Sequence, residues 1–118
     1  MSAFAKIKAI AYGMGIPSYP DVYPGEDSNR PTEWITYNYS YIEGVLFGDD
    51  GAEEEIESLQ IHYFCPATYN FIARRREISE ALCEAGFTHP IVTQAGLEDN
   101  DRLRHIVFEC DIDTEREV

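Results

Sequence analysis

The chain has 118 residues, a length typical of one domain that buries about two-thirds of its unfolded surface. Its 44% hydrophobic and 13% aromatic residues predict a folded protein rather than a disordered one. The net charge of −13, from 22 acidic and 9 basic residues, disfavours binding to nucleic acid or anionic membrane, because phosphate contacts require clustered cations. We therefore expect one domain over residues 1–118, without a specific nucleic-acid partner or a membrane partner.

The cysteines and the N-terminal segment indicate the cellular compartment. Cys65, Cys83 and Cys110 form no C-x-x-C pair, and Lys6 and Lys8 interrupt the apolar run that a signal peptide would need. No stretch of the sequence reaches transmembrane length. We expect a protein made in the cytoplasm with reduced thiols, each cysteine acting as a small apolar core residue.

The chain begins with a predicted helix and a short edge strand. Ser2 is a candidate N-cap, Gly13 and Gly15 predict the helix end, and an apolar stripe lies between them at helical spacing: Phe4, Ile7, Ile10 and Ala11. Residues 16–19 predict an edge strand, since a proline there cannot donate to a ladder. Residues 20–32 are so rich in turn formers that we expect no regular structure.

Two long strands around an acidic hairpin tip follow. Residues 34–42 alternate with period two, and so do residues 56–64. The alternation predicts one shared apolar face: Ile35, Tyr37, Tyr39 and Tyr41 on the first strand, and Leu59, Ile61 and Tyr63 on the second. The tip between the strands carries five carboxylates: Asp49, Asp50, Glu53, Glu54 and Glu55.

A second helix and a second hairpin complete the chain. Thr68 is a candidate N-cap for a helix over residues 69–85 that ends at Gly86, with an apolar stripe of Phe71, Ile72, Ile78, Leu82 and Ala85. Strands are predicted over residues 91–93 and 103–112, with one face of the last strand formed by Arg104, Ile106, Phe108, Cys110 and Ile112. This order predicts an α+β fold, a mostly antiparallel sheet of four to five strands with two helices packed on it.

The sequence offers no candidate catalytic residue, cofactor site or metal site. His62, His89 and His105 fall on separate predicted elements without zinc-ligand spacing, so structural roles are expected. A Cys–His nucleophilic pair, such as Cys65 with His62 or His105, lacks any flanking signature. The acidic tip lacks the spacing of a calcium loop. A solvated tip and an electrostatic contact with a basic neighbour both remain open.

A run of three arginines is the basic cluster of the sequence. Arg74, Arg75 and Arg76 lie near the start of the predicted second helix, where the helix dipole disfavours cations by up to about 1 kcal/mol. Since arginine is enriched at interfaces, this placement favours an external contact for at least some of the run. The tyrosines of the first long strand predict core packing or an interface rather than a platform for nucleic-acid bases.

The whole layout resembles the tail-terminator, or tail-completion, proteins of long-tailed bacteriophages. The resemblance rests on the acidic hairpin tip and on the order of the segments around it: Gly15-Ile16-Pro17-Ser18-Tyr19 and Trp34-Ile35-Thr36-Tyr37 before the tip, then Leu59-Gln60-Ile61-His62-Tyr63-Phe64, Leu82-Cys83-Glu84-Ala85-Gly86-Phe87, and Glu98-Asp99 before Leu103-Arg104-His105-Ile106-Val107-Phe108.

The resemblance implies a structural protein of the virion neck, not an enzyme. Such proteins form a ring, commonly hexameric, that caps the tail tube, stops its polymerisation and offers a docking face to the head connector. The implied partners are further copies of the chain, the tail-tube protein and the connector or adaptor protein. We expect the acidic tip to contact the arginine run of a neighbouring copy. Two alternatives remain: an adaptor protein on the connector side, or a small acidic regulator or DNA mimic.

Overall fold

A computed structural model describes residues 2–47, 52–98 and 102–115, with side chains described for residues 2–40, 56–97 and 102–113. The elements are α1 (Ala3–Gly13), β1 (Ser18–Pro20), β2 (Trp34–Phe47), β3 (Ala52–Pro66), α2 (Phe71–Glu84), β4 (Ile91–Glu98) and β5 (Leu103–Glu115). The strands form one sheet in the order β1-β2-β3-β5-β4. The β1–β2 pair is parallel and the other pairs are antiparallel. This architecture confirms the predicted α+β fold.

Local signals set the ends of both helices, with one correction. Ser2 caps α1 as predicted, because its hydroxyl oxygen accepts a hydrogen bond from the Ala5 amide at 3.1 Å. The cap of α2 is Asn70 rather than Thr68, since Asn70 Oδ1 accepts from the Ala73 amide at 3.2 Å. Thr68 lies in a turn closed by the Tyr69 amide and the Pro66 carbonyl at 3.0 Å, so the helix begins later than predicted.

Glycines in the left-handed region follow both helices, as their positions in the sequence predict. Gly15 has φ +71° and Gly86 has φ +100°. A side chain in this region is strained, so glycine lets the chain turn away from the helix at low cost. These two stops direct the chain from α1 into β1 and from α2 toward β4.

The strands are longer than the sequence predicts, and two of them contain bulges. β2 runs from Trp34 to Phe47, and β4 extends to Glu98 instead of ending near residue 93. Register shifts fall between Tyr39 and Tyr41 and between Val92 and Gln94, so strict alternation through Tyr41 is wrong. Backbone hydrogen bonds to the neighbouring strands extend β2 and β4 beyond the residues whose side chains alternate between apolar and polar.

The loop before β2 also contains one short regular turn. Asp27–Asn29 forms a 3-10 helix, in a segment where no regular structure was expected. The Asn29 amide donates to the Glu26 carbonyl at 2.9 Å, which closes this single turn.

The core lies between the helices and one face of the sheet. Its fully buried members come from both helices and the central strands: Ile7, Ile35, Leu59, Ile61, Tyr63, Ile78, Leu82, Ile106 and Phe108. These are the faces that the alternation predicts for the strands. Ile72 is a correction, because it is 49% exposed although it was placed in the apolar stripe of α2.

The cysteines divide between core and surface. Cys65 and Cys110 are buried, whereas Cys83 is exposed, so the expectation of three core cysteines is wrong for Cys83. All three are free thiols. Burial, with Asp111 and Cys83 nearby, raises the pKa of Cys110 to about 12, which keeps that thiol protonated and unreactive near neutral pH.

Candidate assembly interface

Arg74, the first arginine of the run, is held within its own chain. Its Nη2 atom donates to Glu33 Oε1 at 2.9 Å, and its Nη1 atom donates to Glu77 Oε2 at 2.9 Å. The Tyr63 hydroxyl donates to the same Glu33 carboxylate at 2.5 Å. Arg74 therefore joins α2 to the start of β2, and its guanidinium is occupied by contacts within the fold.

These contacts shift the pKa values of two members of the cluster. Hydrogen bonding to Glu33 raises the pKa of Arg74 above its ordinary value. Burial, followed by the hydrogen bond to Glu33, raises the pKa of Tyr63. Both groups keep their protons across the physiological range, so the cluster is an acceptor carboxylate surrounded by donors.

Arg75 and Arg76 are separated from Arg74 by the helical rotation and line a cleft. The cleft lies between α2 and the segment that leads into β4, with a volume of about 420 Å³. Its lining is mostly polar: Arg75, Arg76, Ser79, Glu80, His89, Pro90 and Val92. In a chain of net charge −13, two adjacent cations in a cleft form a surface suited to a carboxylate of a partner.

The acidic tip falls largely outside the described residues. Asp49 and Asp50 lie outside them altogether, and Glu53, Glu54 and Glu55 are described by backbone alone. Their strand is paired on both sides, with Glu54 opposite Val45 of β2 and Glu115 of β5. The expected contact between this tip and the arginine run thus stays a prediction.

Two histidines that the sequence left apart meet on the open face of the sheet, the face opposite the helices. His62 of β3 and His105 of β5 are separated by 2.9 Å between Nδ1 and Nε2. The register explains the meeting, because His105 lies opposite Phe64, two residues from His62. The sequence could have indicated this pair only if β3 and β5 had been predicted to be neighbours in the sheet. The side-chain pattern of each strand taken alone does not give that order.

The hydrogen bonds along this face form a chain in which each side chain donates to the next. The Asn38 amide nitrogen donates to the Tyr39 carbonyl, which fixes the amide, so Asn38 Oδ1 accepts from His62 Nε2 at 3.1 Å. His62 Nδ1 then accepts from His105 Nε2. Further donors continue the chain at both ends, from Gln94 to His105 Nδ1, from Asn38 to Gln60, and from Gln60 to Glu109.

In this arrangement His62 is neutral and carries its proton on Nε2. A second proton on His62 would turn its Nδ1 into a donor, and His105 and Gln94 would then have to exchange their donor and acceptor roles. Burial, together with the nearby His105, lowers the pKa of His62. Neutral His62 thus links β3 to β2 through Asn38 and to β5 through His105.

The remaining histidine lies beside the exposed cysteine. His89 Nδ1 is 3.5 Å from Cys83 Sγ, a pair that the sequence did not single out. The pairs considered from the sequence, Cys65 with His62 or with His105, do not form. Cys65 is buried in the core, while His62 and His105 lie on the open face of the sheet. Among the described side chains, no three of the metal-ligating types converge.

Aromatic rings pack over one end of the open face, beside the start of β2 and the end of β3. Trp34 stacks on Phe64 with ring centroids 4.7 Å apart, and Phe64 stacks on His105 at 4.3 Å. The loop before β2 packs over Trp34 and leaves a cavity of about 280 Å³ between loop and sheet. These aromatic rings bury Trp34 to 5% exposure, as expected of cross-strand aromatic packing rather than of an open base-stacking platform.

Comparison with known proteins identifies the fold class. No family model matches the chain, and no curated protein matches it. The fold is similar to that of a chain in the solved structure of the virion of a native gene transfer agent (GTA) particle, with a TM-score of 0.52. The two sequences are 13% identical, and the alignment covers 96% of this chain and 91% of that chain. The likeness shows one α+β fold shared over almost the full length of both chains. No helix of the described residues could span a membrane.

Proposed function

We propose that the chain is a structural protein of a virion neck, where it forms a ring on the end of the tail tube. The ring ends polymerisation of the tube and gives the head connector a surface on which to dock. The observation that carries this proposal is the fold likeness to a chain of the GTA virion, which extends over nearly the whole of both chains. The proposed partners are copies of the chain, in a hexameric ring, together with the tail-tube protein and the connector. The proposed location is the virion, and the role is not enzymatic.

The shape of the molecule supports a role in assembly. The molecule measures 54 × 27 × 25 Å, and its longest strands are β2, β3 and β5, with 14, 15 and 13 residues. β2 and β3 stay paired from Trp34 and Phe64 at one end to Phe47 and Ala52 at the other. Such a long ribbon extends beyond the helices and can reach a neighbouring subunit.

The charges suggest where copies meet. We assign the cationic side of the contact to Arg75 and Arg76, since Arg74 is already paired with Glu33 and Glu77. The acidic side is proposed to be the tip of the β2–β3 hairpin: Asp49, Asp50, Glu53, Glu54 and Glu55. A ring subunit needs two different complementary surfaces, and these two patches satisfy that requirement.

The proposal is tested by light scattering behind size exclusion, from micromolar to near-millimolar protein, followed by electron microscopy and by pull-down on purified tail tubes. A closed ring and binding to tube ends are the expected results. Binding to the connector without binding to tubes would replace the terminator role with that of an adaptor. Failure to bind either, with capture of a nucleic-acid enzyme at low salt, would favour the acidic mimic.

Reversing the charges of the cleft should weaken assembly without unfolding the monomer. Arg75→Glu with Arg76→Glu places carboxylates opposite the proposed acidic tip, so we expect the association constant to fall at least tenfold, about 1.4 kcal/mol. Light scattering measures the association, and circular dichroism checks the fold. Arg76→Glu is compared with Lys8→Glu, an equal charge change at an exposed position of α1. Equal losses in these two variants would show that overall charge, rather than the cleft, controls assembly.

A further inference from the structure

Two stretches of strand in the sheet have an outer edge that no other strand of the described residues covers: β4, and the part of β2 beyond β1. β4 is the last strand in the sheet order, and it pairs only with β5. At the other end, β1 covers only Ile35 to Tyr37 of β2, so residues 41–47 have no strand on their outer side within the described part. One open edge therefore lies at each end of the sheet order.

Apart from one bulge in each strand, these edges carry little of the usual protection against pairing. Natural edge strands are shielded by lysine, proline or inward charges, because their unpaired amides and carbonyls are templates for another strand. Residues 91–97 of β4 contain no charge and no proline, and residues 41–47 of β2 contain one acid, Glu43, and no lysine or proline. The bulge of β2 lies before residues 41–47, and β4 continues for several residues beyond its own bulge.

β4 exposes a large apolar side chain near each of its ends. Ile91 is 68% exposed and Leu97 is 51% exposed. Side chains of this size on a strand flank are covered when a further strand is added. Cations lie beside β4 at two places: the cleft of Arg75 and Arg76, which Glu80 also lines, is beside Val92, and Arg104 Nη1 donates to the Ala95 carbonyl at 3.0 Å.

We infer that the edge of β4 in one copy pairs with residues 41–47 of β2 in the next copy, so that the sheet continues from subunit to subunit. This inference rests on the proposed ring and names the contact that builds it. The occupant is a second copy because the same chain supplies the complementary edge, and its one acid enters beside the cations that flank β4. Since the two edges differ, the contact is heterologous, and a repeated rotation closes it into a ring.

Two edge-blocked variants test this contact. Variant A carries Ile91→Lys and Leu97→Lys on β4, at exposed positions where little core packing is lost. Variant B carries Ser40→Lys and Gly44→Lys on β2, and the register places position 44 opposite Glu55, where lysine is favourable. Circular dichroism and thermal melting check that each variant is folded. Thr93→Lys, at another exposed position of β4, replaces variant A if that protein does not fold.

The expected result is a specific pattern of complementation. Variants A and B are each monomeric where the wild type assembles, but an equal mixture forms a dimer of A and B that grows no further. This follows because A retains its β2 edge while B retains its β4 edge. The control carries Ala9→Lys and Tyr12→Lys, which add the same charge at two exposed positions of helix α1 rather than on either strand edge, and it assembles normally. A reducing agent excludes disulfides through the exposed Cys83.

Each other outcome overturns the edge contact. Rings formed by A alone or B alone would show that copies meet elsewhere, although the ring itself would stand. Homodimers of either variant would indicate a contact between identical edges. A wild-type chain that remains monomeric at every concentration would reject edge pairing between free copies, and binding to tail tubes would then judge the neck function separately.

Discussion

At the scale of single residues, Glu33 joins three parts of the fold. It precedes β2, accepts from Arg74 of α2 and accepts from Tyr63 of β3. Tyr63 has no exposed surface, so its hydroxyl depends on this acceptor. A buried donor without its partner costs more than the hydrogen bond contributes, because the group was desolvated on folding.

Removing the Glu33 carboxylate should therefore destabilise the domain. We expect Glu33→Ala to lower the free energy of unfolding by about 1–3 kcal/mol, measured by urea denaturation. Glu77→Ala is the matched control, since it removes the other partner of Arg74 at a side chain that is 53% exposed. That exposed pair should contribute less than about 1 kcal/mol. Equal effects of the two substitutions would contradict the role given to Glu33.

At the scale of elements, the open face of the sheet is tied across its strands by side-chain hydrogen bonds. Gln94 of β4, His105 of β5, His62 of β3 and Asn38 of β2 form successive links. His62 is neutral in this arrangement, and burial, together with the nearby His105, lowers its pKa. The sheet face therefore contains a group whose protonation opposes folding.

The stability of the domain should fall as the pH drops below about 6.5, the ordinary pKa of histidine. The folded state lowers the pKa of His62, so the unfolded state binds more protons in this window. Stability due to this group is present above the unfolded pKa and is lost toward the folded one. Urea denaturation at about pH 7.5 and about pH 5.5 measures the change.

His62→Gln separates this effect from other titrations. Glutamine can donate to Asn38 and accept from His105, but it does not titrate. The loss of stability between the two pH values should be smaller in this variant, whereas His89→Gln, at an exposed position, should behave as the wild type. The same pH response in His62→Gln and wild type would reject the assignment.

At the scale of the whole molecule, the net charge of −13 governs how copies approach one another. Like-charged subunits repel at long range, while backbone pairing and apolar contacts act only after they meet. The ring proposed above would be acidic and would have little attraction for DNA, as the proposed position at the exit of a filled head requires. Assembly is thus a balance between long-range repulsion and short-range pairing.

Salt should strengthen self-association if pairing of strand edges dominates the contact. The Debye length falls from about 10 Å at 0.1 M to about 3 Å at 1 M salt, which screens the repulsion between copies. Light scattering at fixed protein concentration should show larger species as salt increases. Weaker association at high salt would show instead that the ion pairs proposed for Arg75 and Arg76 control the contact.

Much of the fold follows from local signals in the sequence. Ser2, Gly15 and Gly86 mark helix ends, and the alternation through Leu59, Ile61 and Tyr63 predicts the buried face of the central strand. These features depend on neighbours close in sequence, where backbone sterics and side-chain period act directly. The order of elements and the α+β class could therefore be predicted from sequence.

The tertiary structure decided what depends on register between distant strands. The meeting of His62 and His105, the pairing of Arg74 with Glu33 and the two sheet edges left uncovered by the described strands arise from chain segments far apart in sequence. Periodicity gives the faces of each strand but neither its neighbours nor its bulges, since a bulge shifts the ladder without a fixed residue signature. The sequence by itself thus determined the elements and the core faces. The structure determined which polar groups meet and which edges stay open, because long-range pairing places them.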